Sequence, residues 1–108
     1  MFVRVHKLVS QYPVLLLMLL SSCSSVTPHE NFKAHMSHNV GMRIDNSLGG
    51  NWAIPKYLVN TIHLPNGNIE NEYEFHGNCR YFFEIDANTQ IIVGWRFEGS
   101  EQDCGIVP

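Results

Sequence analysis

The feature that most limits what this chain can fold into is an apolar run near its start, V-L-L-L-M-L-L at residues 14–20. A run of this length is too short to cross a hydrocarbon core, which needs about 20 apolar residues. It does match the apolar segment of an export signal, because Arg4 and Lys7 precede it and two serines and Cys23 follow it. The alternative is a short buried helix. The run predicts that residues 1–22 are a signal peptide and that the folded domain lies downstream.

The residues that close this run, Leu20-Ser21-Ser22-Cys23, resemble the lipobox of bacterial lipoprotein signal peptides. The resemblance implies that a diacylglyceryl group is added to the Cys23 thiol, that the chain is cleaved before Cys23, and that the new amino terminus is acylated. Several acyl chains hold a protein firmly at a membrane, since their burial free energies add. In the family, Asp after the cysteine favours the inner membrane, and Ser24 therefore favours the outer membrane of a Gram-negative envelope. A plain secretion signal with an incidental cysteine is the alternative.

Removing residues 1–22 changes the charge of what remains. The remaining 86 residues carry five Lys or Arg and ten Asp or Glu, a net charge of −5, because Arg4 and Lys7 are the only charged residues removed. Nucleic-acid binding requires a basic surface, so we expect no nucleic-acid partner. The length supports one domain. We therefore divide the mature chain into a lipid-anchored tether at 23–27 and a small periplasmic domain at 28–108.

Two cysteines remain once Cys23 is assigned to the lipid, namely Cys79 and Cys104. In an oxidising envelope compartment such a pair is expected to form a disulfide. Closing this loop contributes roughly 3 to 3.5 kcal/mol in the chain-entropy model, which matters for a domain too small to bury a large core. A zinc site would need about four ligands at close spacing, and the sequence has no C-x-x-C motif. The count predicts a disulfide between Cys79 and Cys104.

The start of the folded domain has the pattern of a helix. Thr27-Pro28-His29-Glu30 combines an N-cap residue, a proline in the first turn and the glutamate of a capping box. An apolar stripe recurs every four residues, at Phe32, Met36 and Val40. Gly41 is suited to the position just after a helix end. The sequence predicts a helix over about residues 28–40.

The segment that follows, residues 41–55, has no clear period. About 15 irregular residues is long for a compact domain and indicates either a functional segment or a misread element. We expect its apolar residues to fold back over the core as a lid; they are Ile44, Leu48, Trp52 and Ile54. The alternative is a loop that binds a partner.

From Lys56 onward the apolar residues alternate with a period of two, which predicts strands. Turn residues separate the strands: P-N-G-N at 65–68, G-N at 77–78 and D-A-N-T at 86–89. The predicted strands are residues 56–64, 69–76, 79–85 and 91–97. The sequence therefore predicts an α+β fold, with one N-terminal helix followed by a four-stranded antiparallel meander and one disulfide.

The register of the last hairpin follows from which side chains share the core. A one-residue slip, with Phe83 opposite Gly94, would exchange the buried and exposed sets. We therefore expect paired residue numbers to sum to 176. The expected pairs are Phe83 with Val93, Tyr81 with Trp95, and Cys79 with Phe97. The core-facing residues of the last strand would then be Ile91, Val93, Trp95 and Phe97.

In this register the opposite face of the sheet carries an apolar pair, Phe82 and Ile92, among charged residues. The same face of the preceding strand is entirely polar: Glu70, Glu72, Glu74 and His76. A clustered apolar pair rimmed by charges is typical of a contact site, and aromatic and arginine residues tend to anchor interfaces. Phe82, Ile92 and Arg96 are therefore the candidate partner-binding patch. The alternative is that residues 41–55 or the C-terminal tail cover them.

The sequence predicts no catalytic residue, no metal site and no cofactor. His35 and His38 lie on one helix, but two imidazoles without a third ligand are expected to be surface residues. The three glutamates of residues 70–74 are expected to be the wet side of a half-buried strand, balanced by Arg80 and Arg96 on neighbouring strands. The motifs G-x-S-x-G and H-E-x-x-H and a Gly-rich phosphate loop are absent from the sequence. We expect the protein not to be an enzyme.

The lipobox followed by a small helix and a meander resembles the layout of the SmpA/BamE-like outer-membrane assembly lipoproteins. The segments at 77–86 and 94–104 resemble small proteobacterial envelope lipoproteins. Neither resemblance gives a residue a role. With enzyme and nucleic-acid functions disfavoured, we expect a structural or assembly module, anchored in the membrane through Cys23, with an envelope protein as partner. The alternative is a periplasmic inhibitor, immunity or exclusion lipoprotein that inserts residues 41–55 into its target.

Overall fold

The computed structural model describes residues 25–45 and 50–108. The elements are a helix, α1 Pro28–Asn39, a 3-10 turn, Pro55–Tyr57, and four strands, β1 Leu58–His63, β2 Ile69–Glu74, β3 Arg80–Ile85 and β4 Ile92–Glu98. The strands form one antiparallel sheet in the order β1-β2-β3-β4. The predicted α+β fold is confirmed. The predicted signal peptide, Cys23 and Leu48 lie outside the described residues.

α1 begins as its sequence pattern predicts but ends one residue earlier. The Thr27 hydroxyl accepts a hydrogen bond from the Glu30 N–H at 3.1 Å, and the Glu30 carboxylate accepts one from the Thr27 N–H at 3.4 Å. Val40 has an extended backbone, and Gly41 after it has a φ of 94°, which a residue without a Cβ adopts easily. Val40 therefore leaves the apolar stripe and is 43% exposed.

The core lies between α1 and one face of the sheet. Phe32 and Met36 of α1 are fully buried. They pack among inward-facing residues of the three strands nearest the helix, Tyr73, Tyr81, Phe83, Ile85 and Ile92. Burial of each large apolar side chain contributes roughly 1.5–3 kcal/mol, so this single layer is the main source of stability.

The segment between α1 and β1 closes the same core. Residues 41–44 run beside the start of β4, where the Ile92 N–H donates a 2.8 Å hydrogen bond to the Met42 carbonyl. Further on, the Trp52 carbonyl accepts a 2.8 Å hydrogen bond from the Tyr81 hydroxyl. In its described parts, this segment is therefore part of the fold.

The predicted lid is confirmed for two of its four residues. Ile44 and Trp52 pack against the core, whereas Ile54 stays 36% exposed. Ile54 immediately precedes the 3-10 turn that leads into β1.

The register of the last hairpin differs from the predicted one by two residues. Tyr81 lies opposite Phe97, and Phe83 lies opposite Trp95, so the paired numbers sum to 178 and the predicted sum of 176 is wrong. Both registers turn the same strand faces toward the core. The alternation of apolar residues therefore could not distinguish them.

A β-bulge at Val93 accounts for a second difference from the prediction, namely which residues at the start of β4 face the core. Ile85 lies opposite Ile92, but Glu84 lies opposite Gly94, so Val93 is an extra residue in β4. The bulge turns Ile92 into the core, where it is fully buried, and leaves Val93 46% exposed. The prediction that Val93 faces the core and Ile92 faces outward is therefore wrong.

The predicted disulfide is confirmed. Cys79 at the start of β3 is bonded to Cys104 in the C-terminal tail, with Cα atoms 5.3 Å apart. Beyond it, the Ile106 N–H donates to the Pro28 carbonyl at 2.9 Å, and the Asn31 amide donates to the Ile106 carbonyl at 3.0 Å. The sheet, the tail and the start of α1 are thus tied together at one end of the domain. We call it the tail end; it holds residues 27–30, 76–80 and 99–108.

Candidate functional site

The sheet face turned away from α1 carries an ion-pair network. Arg96 of β4 reaches across β3 and donates two hydrogen bonds to the Glu70 carboxylate of β2, at 2.8 and 3.0 Å. These hydrogen bonds raise the pKa of Arg96. Arg80 lies 3.8 Å from Glu72 and 3.9 Å from Glu74. The prediction that Arg80 and Arg96 balance the glutamate row is confirmed.

The predicted partner patch does not form one exposed surface. Phe82 is only 2% exposed, because the Arg96 guanidinium lies 3.7 Å from the centre of its ring. Ile92 is buried on the opposite face of the sheet, where the bulge turns it. The Arg96 side chain therefore covers Phe82. Of the three patch residues, only Arg96 is exposed.

The sequence did not predict that Arg96 covers Phe82, because the predicted register of the last hairpin was wrong. Phe82 and Arg96 are direct cross-strand neighbours, whereas the register with a sum of 176 puts Gly94 opposite Phe82. Outside the bulge at Val93, a two-residue shift leaves each side chain on the same face of the sheet but changes which side chains lie opposite each other.

The edge of the sheet formed by β1 is the least covered strand. β1 pairs with β2 on one side, and no other described strand lies on its other side. Five of its six residues are exposed, and the strand contains neither a charged residue nor a proline. Edge strands leave a row of backbone groups unpaired, and charges, prolines and β-bulges are the usual protection against added strands. β1 has a bulge at Val59 but has neither of the other two protections.

Apolar side chains lead into this edge. We call Ile54, Tyr57, Leu58 and Val59 the β1 edge surface. Their exposed fractions lie between 36% and 48%. Scattered apolar residues on a surface are ordinary, but a cluster beside an open sheet edge indicates a contact site. The sequence predicted a strand here, but it could not show that this edge is exposed among the described residues.

A cavity of about 390 Å³ adjoins the β1 edge surface at the tail end, within the range of about 300–1,000 Å³ that ligand pockets occupy. We call it the aromatic pocket; its walls are Tyr57, Glu74, Phe75, His76 and Tyr81. The rings of Phe75 and Tyr81 meet edge to face with centroids 6.1 Å apart.

Two polar groups of the pocket walls, those of Tyr81 and His76, have defined hydrogen-bond partners. The Tyr81 hydroxyl donates to the Trp52 carbonyl, and burial raises the pKa of Tyr81, so the phenol stays protonated. The His76 Nε2 donates to the Gly105 carbonyl at 3.1 Å. Glu74 supplies the carboxylate of the pocket walls, and its side chain is 56% exposed.

The helix histidines lie apart from this pocket. His35 and His38 are exposed on α1, and the His35 ring is 5.7 Å from the Trp52 ring. Within residues 25–45 and 50–108, no group of three His, Cys, Asp or Glu side chains is arranged to hold a metal ion.

Asn39 is a buried polar residue that sequence reasoning missed. It is 1% exposed, its Oδ1 accepts the Trp52 N–H at 2.6 Å, and its amide donates to the His35 carbonyl at 2.7 Å. Its position three residues after Met36 puts it on the buried side of α1. That spacing was the available signal.

Comparison with protein-family models, with curated proteins and with solved structures finds no match to this chain. Among the helices of the described ranges, none is both long and apolar enough to cross a membrane. The function is therefore argued from the β1 edge surface, the aromatic pocket and the sequence of residues 1–27.

Proposed function

We propose that this protein is a lipid-anchored envelope protein that binds a partner protein through the open edge of β1 and catalyses no reaction. The observation that carries the proposal is the uncharged edge strand beside the exposed residues of the β1 edge surface. An extended segment of the partner would add to β1 as a fifth strand. In such complexes the backbone hydrogen bonds supply affinity and the alternate side chains supply specificity.

The proposed anchor determines which end of the domain faces the bilayer. Cys23 is four residues before Thr27, a distance of at most about 14 Å in extended chain. Thr27 caps α1 at the tail end, so lipidation at Cys23 would hold the tail end near the membrane. β1 would then run outward, with Leu58 close to the bilayer and His63 farther away.

The anchor favours a different protein over a second copy as the added strand. Antiparallel pairing of two β1 strands would put their tail ends at opposite ends of the pair, because each strand runs against the other. A six-residue strand is about 20 Å long. With β1 running outward from the bilayer, the tail end of the second copy would lie about that far from the membrane, and a tether of about 14 Å would not reach the same leaflet.

An inhibitor, immunity or exclusion role through residues 41–55 has less support. The Ile44 N–H donates to the Gln90 carbonyl at 2.9 Å, and Trp52 packs on the core. A loop held at both of its described ends has little freedom to enter a target cleft.

The anchor is tested by replacing Cys23 with Ser in the full chain. Metabolic labelling with palmitate should disappear, and an unprocessed precursor should accumulate. A variant that still takes up palmitate and still fractionates with membranes would show that the lipid-anchor part of the proposal is wrong.

The open edge is tested with two valines of similar exposure, Val59 at 48% and Val93 at 46%. A photo-crosslinking residue at position 59 of the anchored protein should give a defined adduct in the native envelope, and one at position 93 should not. Val59→Lys adds the charge that edge strands normally carry, so it should weaken partner capture while Val93→Lys leaves capture unchanged. Equal effects at both positions would rule out binding at the β1 edge.

A further inference from the structure

We infer that the Asn60 side chain controls strand addition at the β1 edge. It occupies a backbone donor that an added strand needs, and the partner has to displace it. The inference rests on the proposed function, because it assigns the regulation of that same edge to one residue. Three features support it: the direction of the Thr61 N–H group, the acceptor that this group has, and the fixed position of Thr61.

The backbone pairing of β1 shows which of its residues face the free edge. The Leu64 N–H donates to the Asn68 carbonyl at 2.9 Å, so Leu64 bonds toward the β2 side. In an antiparallel pair only every second residue exchanges hydrogen bonds with the neighbouring strand, and the register with β2 is regular from Asn60 onward. The residues in between, Thr61 and His63, therefore direct their N–H and carbonyl groups to the free edge.

The Thr61 N–H already has an acceptor, because it donates to the Oδ1 atom of Asn60 at 2.9 Å. We call this hydrogen bond the Asn60 cap. An edge residue that gains an antiparallel neighbour uses both its N–H and its carbonyl group, so a carbonyl of the added strand would take the place that Oδ1 now holds. Asparagine side chains that bond a nearby backbone group compete with regular pairing in this way.

The cap occupies a large share of what this edge offers. The bulge at Val59 interrupts the regular pairing of β1, so the regular part of the strand directs only the N–H groups of Thr61 and His63 to the free edge. The Asn60 cap occupies the first of these two donors. A partner strand therefore binds a weaker ladder, or it displaces the Asn60 side chain.

Thr61 itself is held in place, so the movable part is the Asn60 side chain. The Thr61 hydroxyl donates to the Oδ1 atom of Asn71 at 3.0 Å, and the Asn71 amide donates to the Tyr73 hydroxyl at 3.2 Å. Asn71 is 8% and Tyr73 is 2% exposed, whereas Asn60 is exposed. Exposed side chains change rotamer within nanoseconds. Rotation of Asn60 alone thus uncovers a donor whose position is already fixed.

The first test measures the cap without a partner. Amide hydrogen exchange in the full chain, corrected for intrinsic rates, should be about two- to tenfold slower at Thr61 than at His63. His63 is the internal control, because the residue before it is Ile62, whose side chain has no acceptor. Asn60→Ala should bring Thr61 to the rate of His63. Equal protection of Thr61 and His63 in the wild type would overturn the inference.

The second test measures access to the edge, with the photo-crosslinking residue at position 59 of the anchored protein in the native envelope. Asn60→Ala should raise the yield of partner adduct about two- to tenfold, because the partner no longer displaces a hydrogen bond. Asn60→Asp keeps the acceptor oxygen and should not raise the yield. Asn88→Ala, at an exposed position in the loop of the last hairpin, should leave the yield unchanged.

The outcomes separate this inference from the proposed function. If wild type and Asn60→Ala give equal yields of adduct, or if Asn60→Asp raises the yield as Asn60→Ala does, control by Asn60 is wrong while strand addition at β1 stands. If neither wild type nor Asn60→Ala gives an adduct, strand addition at β1 is wrong and control by Asn60 is wrong with it. An adduct from Asn60→Ala alone would support both, with the wild-type edge closed by the cap.

Discussion

The Arg96 guanidinium lies 3.7 Å from the centre of the Phe82 ring and pairs with the Glu70 carboxylate beyond it. One side chain from β4 therefore covers an aromatic residue on β3 and reaches an acid on β2. This arrangement explains how a sheet with its helix on one face keeps a phenylalanine buried on the other face, where the described residues form no further helix or strand. The cover depends on the planar, forked shape of arginine.

Replacing Arg96 with Ala should lower the free energy of unfolding by about 1–2 kcal/mol, since it uncovers Phe82 and leaves the Glu70 carboxylate unpaired. The Glu70 side chain is only 12% exposed, so water compensates poorly for the lost partner. Arg96→Lys should fall between wild type and Arg96→Ala, because lysine keeps the charge but not the fork. Denaturant titration of the three proteins measures both differences.

Arg43 is the matched control for this prediction. It forms an ion pair with Asp45 at 3.0 Å, and both side chains are more than half exposed. Exposed pairs of this kind are worth roughly 0–1 kcal/mol. If Arg43→Ala lowered the free energy of unfolding as much as Arg96→Ala does, the position of Arg96 over Phe82 would add nothing to the stability of an ordinary exposed ion pair.

The disulfide should contribute a large part of the free energy of unfolding. Replacing both Cys79 and Cys104 with Ser should lower the free energy of unfolding by about 3 kcal/mol. Reductant should shift the unfolding midpoint of the wild type but not that of the double variant. Non-reducing mass spectrometry of the protein isolated from its own cells should show the two cysteines linked; two free, alkylatable thiols would contradict the prediction.

The sequence correctly predicted the features that depend on residues close together in the chain or on composition alone. The capping box of Thr27 and Glu30 needs only residues three apart, and the glycine after α1 needs only its own backbone. The fold class followed from the period of the apolar residues, and the disulfide followed from a count of two cysteines that remain once Cys23 is assigned to the lipid. Each of these inferences is independent of how distant strands meet.

The errors arose where the alternation of apolar residues carries no information. The loop of the last hairpin ends with Gln90 at a φ of 62°, and the Asp86 N–H donates to the Ile91 carbonyl. This loop and the bulge at Val93 together set the register, and no alternation pattern specifies either. The open edge of β1 was equally hidden, because exposure depends on where every other element packs.

Asn39 connects α1 to the segment that follows it, so its loss should destabilise the fold. Asn39→Ala removes the acceptor of the Trp52 N–H, and an unsatisfied buried N–H costs about 1–3 kcal/mol. Amide hydrogen exchange at Trp52 should become faster in this variant, and the free energy of unfolding should fall by that amount. His38→Ala, next to it on the exposed side of α1, should change stability by less than about 0.5 kcal/mol. Similar losses in the two variants would assign the effect to helix propensity instead.

Asp86 should make the stability of the last hairpin depend on pH. Its Oδ1 accepts the N–H groups of Asn88 and Thr89, both at 2.9 Å, and these hydrogen bonds lower the pKa of the Asp86 carboxyl. A lowered folded-state pKa means that the carboxylate stabilises the fold above the unfolded value of about 3.9. That stabilisation is lost as the pH falls through the lower folded value, since the folded state must then take up a proton that it disfavours.

Two substitutions at Asp86 separate its charge from its hydrogen bonds. Asp86→Asn keeps an oxygen acceptor without the charge, so the stability gap to wild type should be widest near about pH 6–7 and should shrink below about pH 4. Asp86→Ala removes the acceptor as well and should remain less stable than Asp86→Asn at every pH. Urea titrations between about pH 2 and 7 measure both gaps. A gap between wild type and Asp86→Asn that stays constant over this range would mean that the ionised carboxylate contributes no more to the turn than a neutral amide oxygen does.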